Sequence, residues 1–414
     1  MRDEQLALWS ATPAELPEMG PRIGFFRRLA NARAASRLIE ETAAGLSRMP
    51  EDEAGRRAWR EQLRERLQSF GQERLGWPDG YRKLLFGDAF FEATLAFTRE
   101  AKAFDPSLPL EQLGQALRNV WIGNSLQMLL DRPVELRDGL FAYSMLYPLT
   151  DNWLDDPTVL RERKHAFGRR FGRRLAGLSA FPYDGREAAA FRLVGRIEGE
   201  LPRRDFPWVF ESLLAIHEGQ SRSLDQQGSR GLDDAQILAI SFEKGGSSVL
   251  ADLHLVTTTP TADQERFAFG YGLFLQLLDD LQDVEDDLGA GHETLFTRAA
   301  RRGPLDAPTA RLARFIDLTL DGAFGGAAFA ERLDLVRRNC RALLVGSVAL
   351  QPRRFSRLFR RALESRWPVS FRAHRRLRRR ALELFQSAAA RARPTDGRSP
   401  LDQLLDFAAK ATAA

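Results

Sequence analysis

Aspartates define the chemistry open to this chain. Residues 275–297 read LQLLDDLQDVEDDLGAGHETLFT, and Asp279, Asp283 and Asp287 fall four residues apart. At 3.6 residues per turn that spacing stacks three carboxylates on one helix face, with Asp280 beside them. Like charges so placed repel. A hard divalent cation such as Mg²⁺ would relieve the conflict, since it takes oxygen ligands and keeps positions for water and substrate phosphates. Most acidic runs are solvated faces, but Leu275, Leu277, Leu278 and Leu281 make this helix too apolar for free exposure. A second cluster, YSMLYPLTDNWLDD at 143–156, sets Asp151 and Asp155 four apart on another apolar, aromatic helix, with Asp156 adjoining. Facing each other across a bundle, the two helices would hold metal ions between them, and the ions would hold a diphosphate.

The elements that must position these groups read as helices throughout. Apolar positions recur at helical spacing over 27–46, 51–70, 88–103, 110–130, 139–155, 235–256, 308–320, 329–350 and 353–390, and no segment alternates as a strand. Pro148 predicts a kink three residues before Asp151, and Pro368 a kink or split in the last long segment. Residues 1–20, with Pro13, Pro17 and Gly20, read as a loosely ordered lead-in. Lys244-Gly245-Gly246 interrupts an apolar helical pattern. Paired glycines cost about 1 kcal/mol each against alanine, which calls for a reason such as a bend or a close approach to substrate. Past the first acidic cluster come Arg161, Arg163 and Lys164, a basic group able to reach a diphosphate's outer oxygens or to form a solvated helix face.

Composition bounds the rest. The chain has 414 residues, 44% hydrophobic and 28% charged, with one cysteine, Cys340, so no internal disulfide forms and a reducing compartment fits. No apolar run is long enough to span a bilayer, and the reading is cytoplasmic. The net charge of +5 is uneven: residues 353–380 hold twelve arginines and one acid, Glu364. With Phe355, Leu358, Phe359, Ala362 and Trp367 among them, that stretch reads as a peripheral membrane contact or as plain arginine-rich surface. No nucleic-acid module is visible. Di-iron carboxylate bundles need paired Glu-x-x-His, and only Glu162-x-x-His165 has that spacing.

Asp151-x-x-x-Asp155 followed by Asp279-x-x-x-Asp283-x-x-x-Asp287 resembles the paired motifs of the class I isoprenoid synthases, over roughly residues 110–300. LQLLDDLQDVEDD is similar to the second aspartate-rich segment of phytoene and squalene synthases. The resemblance implies an all-α, isoprenoid-synthase-type helical bundle with a central active-site cavity. It implies an N-terminal helical extension at 1–80, the core at 81–350, and a basic C-terminal helical region at 351–414 packed on that core. It further implies two or three Mg²⁺ ions on Asp151, Asp155, Asp156, Asp279, Asp280, Asp283 and Asp287. Lys244 stands where prenyltransferases carry a Lys-Thr on a bent pocket helix, and Gly219-Gln220 resembles part of their Gly-Gln-x-x-Asp segment. Lys244, Gln220 and Gln276 are thus candidate substrate contacts. Tyr143, Tyr147, Trp121, Trp153 and Phe274 are candidate lining for a carbocation pocket, against the plainer reading of core aromatics.

The implied reaction is ionisation of an allylic prenyl diphosphate, with squalene/phytoene-like condensation favoured by the DxxxD spacing. Pro148 and Leu149 stand where that family has an arginine shortly before its first aspartate, and Asn152 replaces a frequent aspartate. A terpene cyclase or a chain-elongating polyprenyl diphosphate synthase is the alternative. A non-catalytic prenyl-diphosphate-binding or scaffold protein on the same fold is another.

Overall fold

The computed structural model describes the chain except residues 49, 51, 80, 82–86, 157, 225, 227–230, 324–326 and 392–414, and except the side chains of 53, 56, 110, 155, 327, 328, 386 and 388–391. The short helix expected after Pro400 lies outside the described residues. Those described form seventeen α-helices, one π turn at Gly71–Leu75 and one 3₁₀ turn at Pro352–Arg354, with no β-strand among them. The protein is all-α. None of the described helices is long and apolar enough to cross a membrane.

The chain gathers into two compact units. One is built from residues 1–17 and 99–333, the other from 18–98 and 334–414. Of the expected N-terminal extension and C-terminal region, residues 18–80 and 351–391 fall in the second unit. In the first unit α1 is Arg2–Ala11, α5 Leu110–Leu129, α6 Asp138–Asp155, α7 Arg161–Leu175, α8 Gly185–Glu200, α9 Pro207–Ser223, α10 Asp234–Val256 and α11 Ala262–Gln282. It ends with α12 Val284–Ala290, α13 Leu295–Arg302 and α14 Asp306–Asp321. In the second, α2 is Phe25–Leu46, α3 Glu53–Phe70, α16 Arg357–Glu364 and α17 Phe371–Arg391, while α4 (Asp88–Phe104) and α15 (Ala327–Leu350) carry the chain from one unit into the other.

The lead-in expected at 1–20 is corrected: α1 is a packed helix. Trp9 is buried and meets Phe242 of α10 and Phe315 of α14 edge-on, centroids 6.2 and 5.6 Å apart. One large aromatic buries enough surface to hold a short helix that propensity alone would not. α6 runs as a single helix through Pro148, whose missing N–H leaves the Ser144 carbonyl without its usual donor. The 353–390 segment does split around Pro368, into α16 and α17.

α10 is the hub of the first unit, packing on α9, α11, α5 and α6. Its paired glycines are explained by that packing rather than by a bend, for α10 is unbroken. A Cβ on Gly245 would sit 2.4 Å from Gln276 Cβ and 2.8 Å from the Gly272 carbonyl of α11; one on Gly272 would sit 2.2 Å from the Gly245 carbonyl. A Cβ on Gly246 would strike the Phe269 ring at 2.5 Å, and one on Gly219 of α9 would press the Lys244 backbone at 3.0 Å. Three helices therefore touch backbone to backbone at one level, and Lys244 stands at that level.

Candidate active site

Asp279 lies on the last full turn of α11 and Asp283 at the junction with α12. The acidic helix, expected to run straight to Gly289, bends at Asp283 (φ −96°, ψ 9°), yet Asp283 N–H still bonds the Asp279 carbonyl (2.9 Å) and Asp287 N–H the Asp283 carbonyl (2.8 Å). The i, i+4, i+8 relation survives the bend. Beyond Ala290, Gly291 takes the left-handed conformation (φ 70°), and His292 N–H returns to the Asp287 carbonyl at 2.8 Å, a Schellman-type closure. That turn folds the His292 ring back, so Nδ1 lies 3.5 Å from Asp287 Oδ1.

On α6, Asp151 is buried and its Oδ2 lies 3.4 Å from Lys244 Nζ on α10. Asp151 and Asp279 are close enough to act on each other's charge, as are Lys244, Arg118 of α5 and Asp287. Burial raises the Asp279 carboxyl above the usual range; Arg118 and Lys244 oppose the rise, and Asp151 and Asp287 add to it. Burial, with Asp279, Asp287 and Asp286, pushes Asp283 up to about 6. Tyr147, one turn before Asp151, feels the same group: the Asp151 charge first, then burial, hold its phenol proton on, against Lys244 and Arg118. For His292 burial favours the neutral ring, but the hydrogen bond to Asp287 and the nearby Asp287 and Asp280 charges together raise it.

Arg118 and His292 are additions to the expected site. Arg118 had a visible signal, an arginine in the apolar run LGQALRNVWIG. Its helix is pinned one residue on, where Asn119 Nδ2 donates to Ser144 Oγ of α6 and Asp252 Oδ1 of α10, both at 3.1 Å. Burial holds the Asp252 carboxyl far above its usual range, although the Asn119 bond works the other way. His292 had no signal, since its position depends on the Gly291 turn.

Several expected site residues do other work. Asp280 turns towards α10, accepting from Gln276 Nε2 (2.9 Å) and Ser241 Oγ (3.4 Å), and burial first of all raises it to about 7. Gln276 is therefore a support for Asp280, and its Cβ fills the Gly245 notch. Asp156 closes an Asx turn instead of joining the carboxylates: its Oδ1 accepts from Thr158 N–H (2.8 Å) and Oγ1 (2.6 Å). Arg163 lies 5.8 Å over the Tyr183 ring, turned to the loop after α7, and Arg161 Nε bonds His165 Nε2 of its own helix at 3.1 Å. Lys164 is buried with the apolar face of α7, where its charge acts on Asp156. Phe274 has 0% exposure and is core, with no surface left to line a cavity. Tyr143 is buried with its hydroxyl 3.0 Å from the Ser248 carbonyl. Trp153 packs its edge on Phe167 of α7 at 4.9 Å, Trp121 is half-buried on α5, and Gln220 is buried beside the Gly219 contact. The Asp155 side chain lies outside the described residues.

Carboxylate oxygens on two helices form a hard donor set of the kind Mg²⁺ takes. Among the described residues no three His, Cys, Asp or Glu side chains converge as a ready-made metal cage. A cation here would rest on one or two carboxylates and complete its shell with water and phosphate oxygens, which is how Mg²⁺ is usually held. The sequence matches no protein-family model and no curated protein.

Proposed function

We propose that this protein is a Mg²⁺-dependent isoprenoid synthase that ionises an allylic prenyl diphosphate, the reaction being a squalene/phytoene-like condensation. The observation that supports the reading is geometric: Asp151 on α6 pairs with Lys244 of α10 at 3.4 Å, and beside Lys244 the Gly245–Gly272 contact brings in α11, the helix that carries Asp279, 128 positions on in sequence. Bound Mg²⁺ would supply a Lewis acid that neutralises charge growing on the diphosphate. Asp151, Asp279, Asp283 and Asp287 would hold it, with Asp155 completing the first motif. Lys244, paired with Asp151, and the exposed Arg118 would bring two positive charges to a diphosphate's outer oxygens. Tyr147, one turn before Asp151, would supply an aromatic ring near the carboxylates for steadying a carbocation.

A terpene cyclase or a chain-elongating synthase would share the ionisation and differ in what captures the cation. The Lys244–Asp151 ion pair favours a second reading, a non-catalytic prenyl-diphosphate-binding or scaffold protein, because it already neutralises one carboxylate internally. Purified protein is given Mg²⁺ and, in turn, geranyl, farnesyl and geranylgeranyl diphosphate, and diphosphate release and extracted hydrocarbons are measured. Release that needs Mg²⁺ and is lost in Asp279→Ala/Asp283→Ala is expected, with product mass separating coupling from cyclisation. Silence with all three, from folded protein, would sink the enzyme reading.

A further inference from the structure

The start of α2 is an exposed apolar tip on a rigid base. Phe25, Phe26 and Leu29 are 67, 83 and 39% exposed, the two rings meeting edge-on at 5.6 Å. The rest of the helix is tied down. Ile23 N–H bonds the Ser365 carbonyl (2.8 Å), Arg28 Nη1 the Glu364 carbonyl (3.0 Å) and Asn31 Nδ2 the Pro368 carbonyl (3.0 Å), while Ala32 packs on Val369 and Ala373. Leu358 of α16 is also 80% exposed.

The apolar face that residues 353–380 display in sequence is spent elsewhere: Phe355, Phe359, Leu363 and Phe371 are all buried. Apart from Leu358, what these residues present outward is charge. They hold twelve arginines, residues 19–39 hold five more, and the two stretches contain one acid between them, Glu364. That acid is engaged internally, with Oε1 accepting from Phe371 N–H at 2.8 Å. Arg33 and Arg37 are exposed along the tip's own face of α2.

We propose that this end of the second unit docks on an anionic lipid bilayer, with Phe25, Phe26 and Leu29 entering the interface and the surrounding arginines meeting headgroup phosphates. A bilayer surface answers both features at once, apolar depth for the rings and negative charge for the rim. A second copy of the chain would answer the rings but set the same arginine-rich surface against itself, and like charges across an interface are costly. The inference does not depend on the proposed reaction.

The test is sedimentation of the full-length protein with phosphatidylcholine vesicles, with and without phosphatidylglycerol. Tight, salt-sensitive binding to the anionic vesicles and binding at least about tenfold weaker to the neutral ones is expected, as loss of the charge attraction implies. Phe25→Ser/Phe26→Ser should melt like the parent, because both rings are exposed, and should lose binding by about tenfold or more. Phe25→Trp should shift its fluorescence to the blue on the anionic vesicles alone. Equal binding by parent and Phe25→Ser/Phe26→Ser, indifference to vesicle charge, or dimerisation through the phenylalanines with no vesicle binding would each overturn the proposal.

Discussion

Arg118 and Arg163 separate a residue that serves the site from one that only decorates the sequence beside it. Arg118 acts on Asp279 and Asp283 from a helix pinned by Asn119. Replacing it with glutamine should cut diphosphate release by about 10²- to 10³-fold, the scale of losing one preorganised charge partner. Arg163→Gln, over Tyr183, should leave release little changed, and steady-state rates of the two variants decide the matter. Asp280 and Asp283 give a second expectation. Their folded pKa values, about 7 and about 6, stand above the ordinary 3.8, so the folded state holds protons that the unfolded chain has released. Metal-free stability should therefore fall as pH rises from about 4 to about 7, and Asp280→Asn should flatten that fall. Urea midpoints across that window in EDTA measure it. Mg²⁺ should restore stability at the upper end, because a bound cation takes over the compensation that protons gave.

At the scale of elements, most helices were legible because apolar spacing alone sets them. α6, α10, α14 and α15 begin and end within two residues of the spans that periodicity marks. α1 was not legible, since a single buried Trp9 holds it and its partners Phe242 and Phe315 are remote in sequence. The Asp279-Asp283-Asp287 register was readable because a helical hydrogen-bond pattern carries it through the bend; the turn of Asp280 towards Ser241 was not, because it depends on which neighbour α11 meets. The Gly245–Gly272 contact makes a prediction at this scale. Gly272→Ala would place a methyl 2.2 Å from the Gly245 carbonyl, so α10 and α11 must part. A loss of about 1–3 kcal/mol is expected, as for overpacked cores, and chemical denaturation reads it directly. Gly289→Ala, with no atom within 4 Å of its Cβ site, is the matched control.

For the molecule as a whole, the C-terminal basic region packs against α2 within the second unit. Val369 and Ala373 cover Ala32, and Pro368 caps Asn31, so deleting residues from 353 onward should uncover α2. Amide exchange along α2 should then quicken, while the Lys244–Asp151 region in the first unit keeps its protection. The arrangement of segments also has a consequence in time. Residues 99–333 of the first unit leave the ribosome as one continuous block, but Asn31 waits for Pro368, 337 residues later. At about 5–20 residues per second, α2 spends roughly 15–70 s in the cell with its docking face bare and Phe25 and Phe26 beside it. During that interval the surface that later packs on Val369 and Ala373 stays open to other apolar partners.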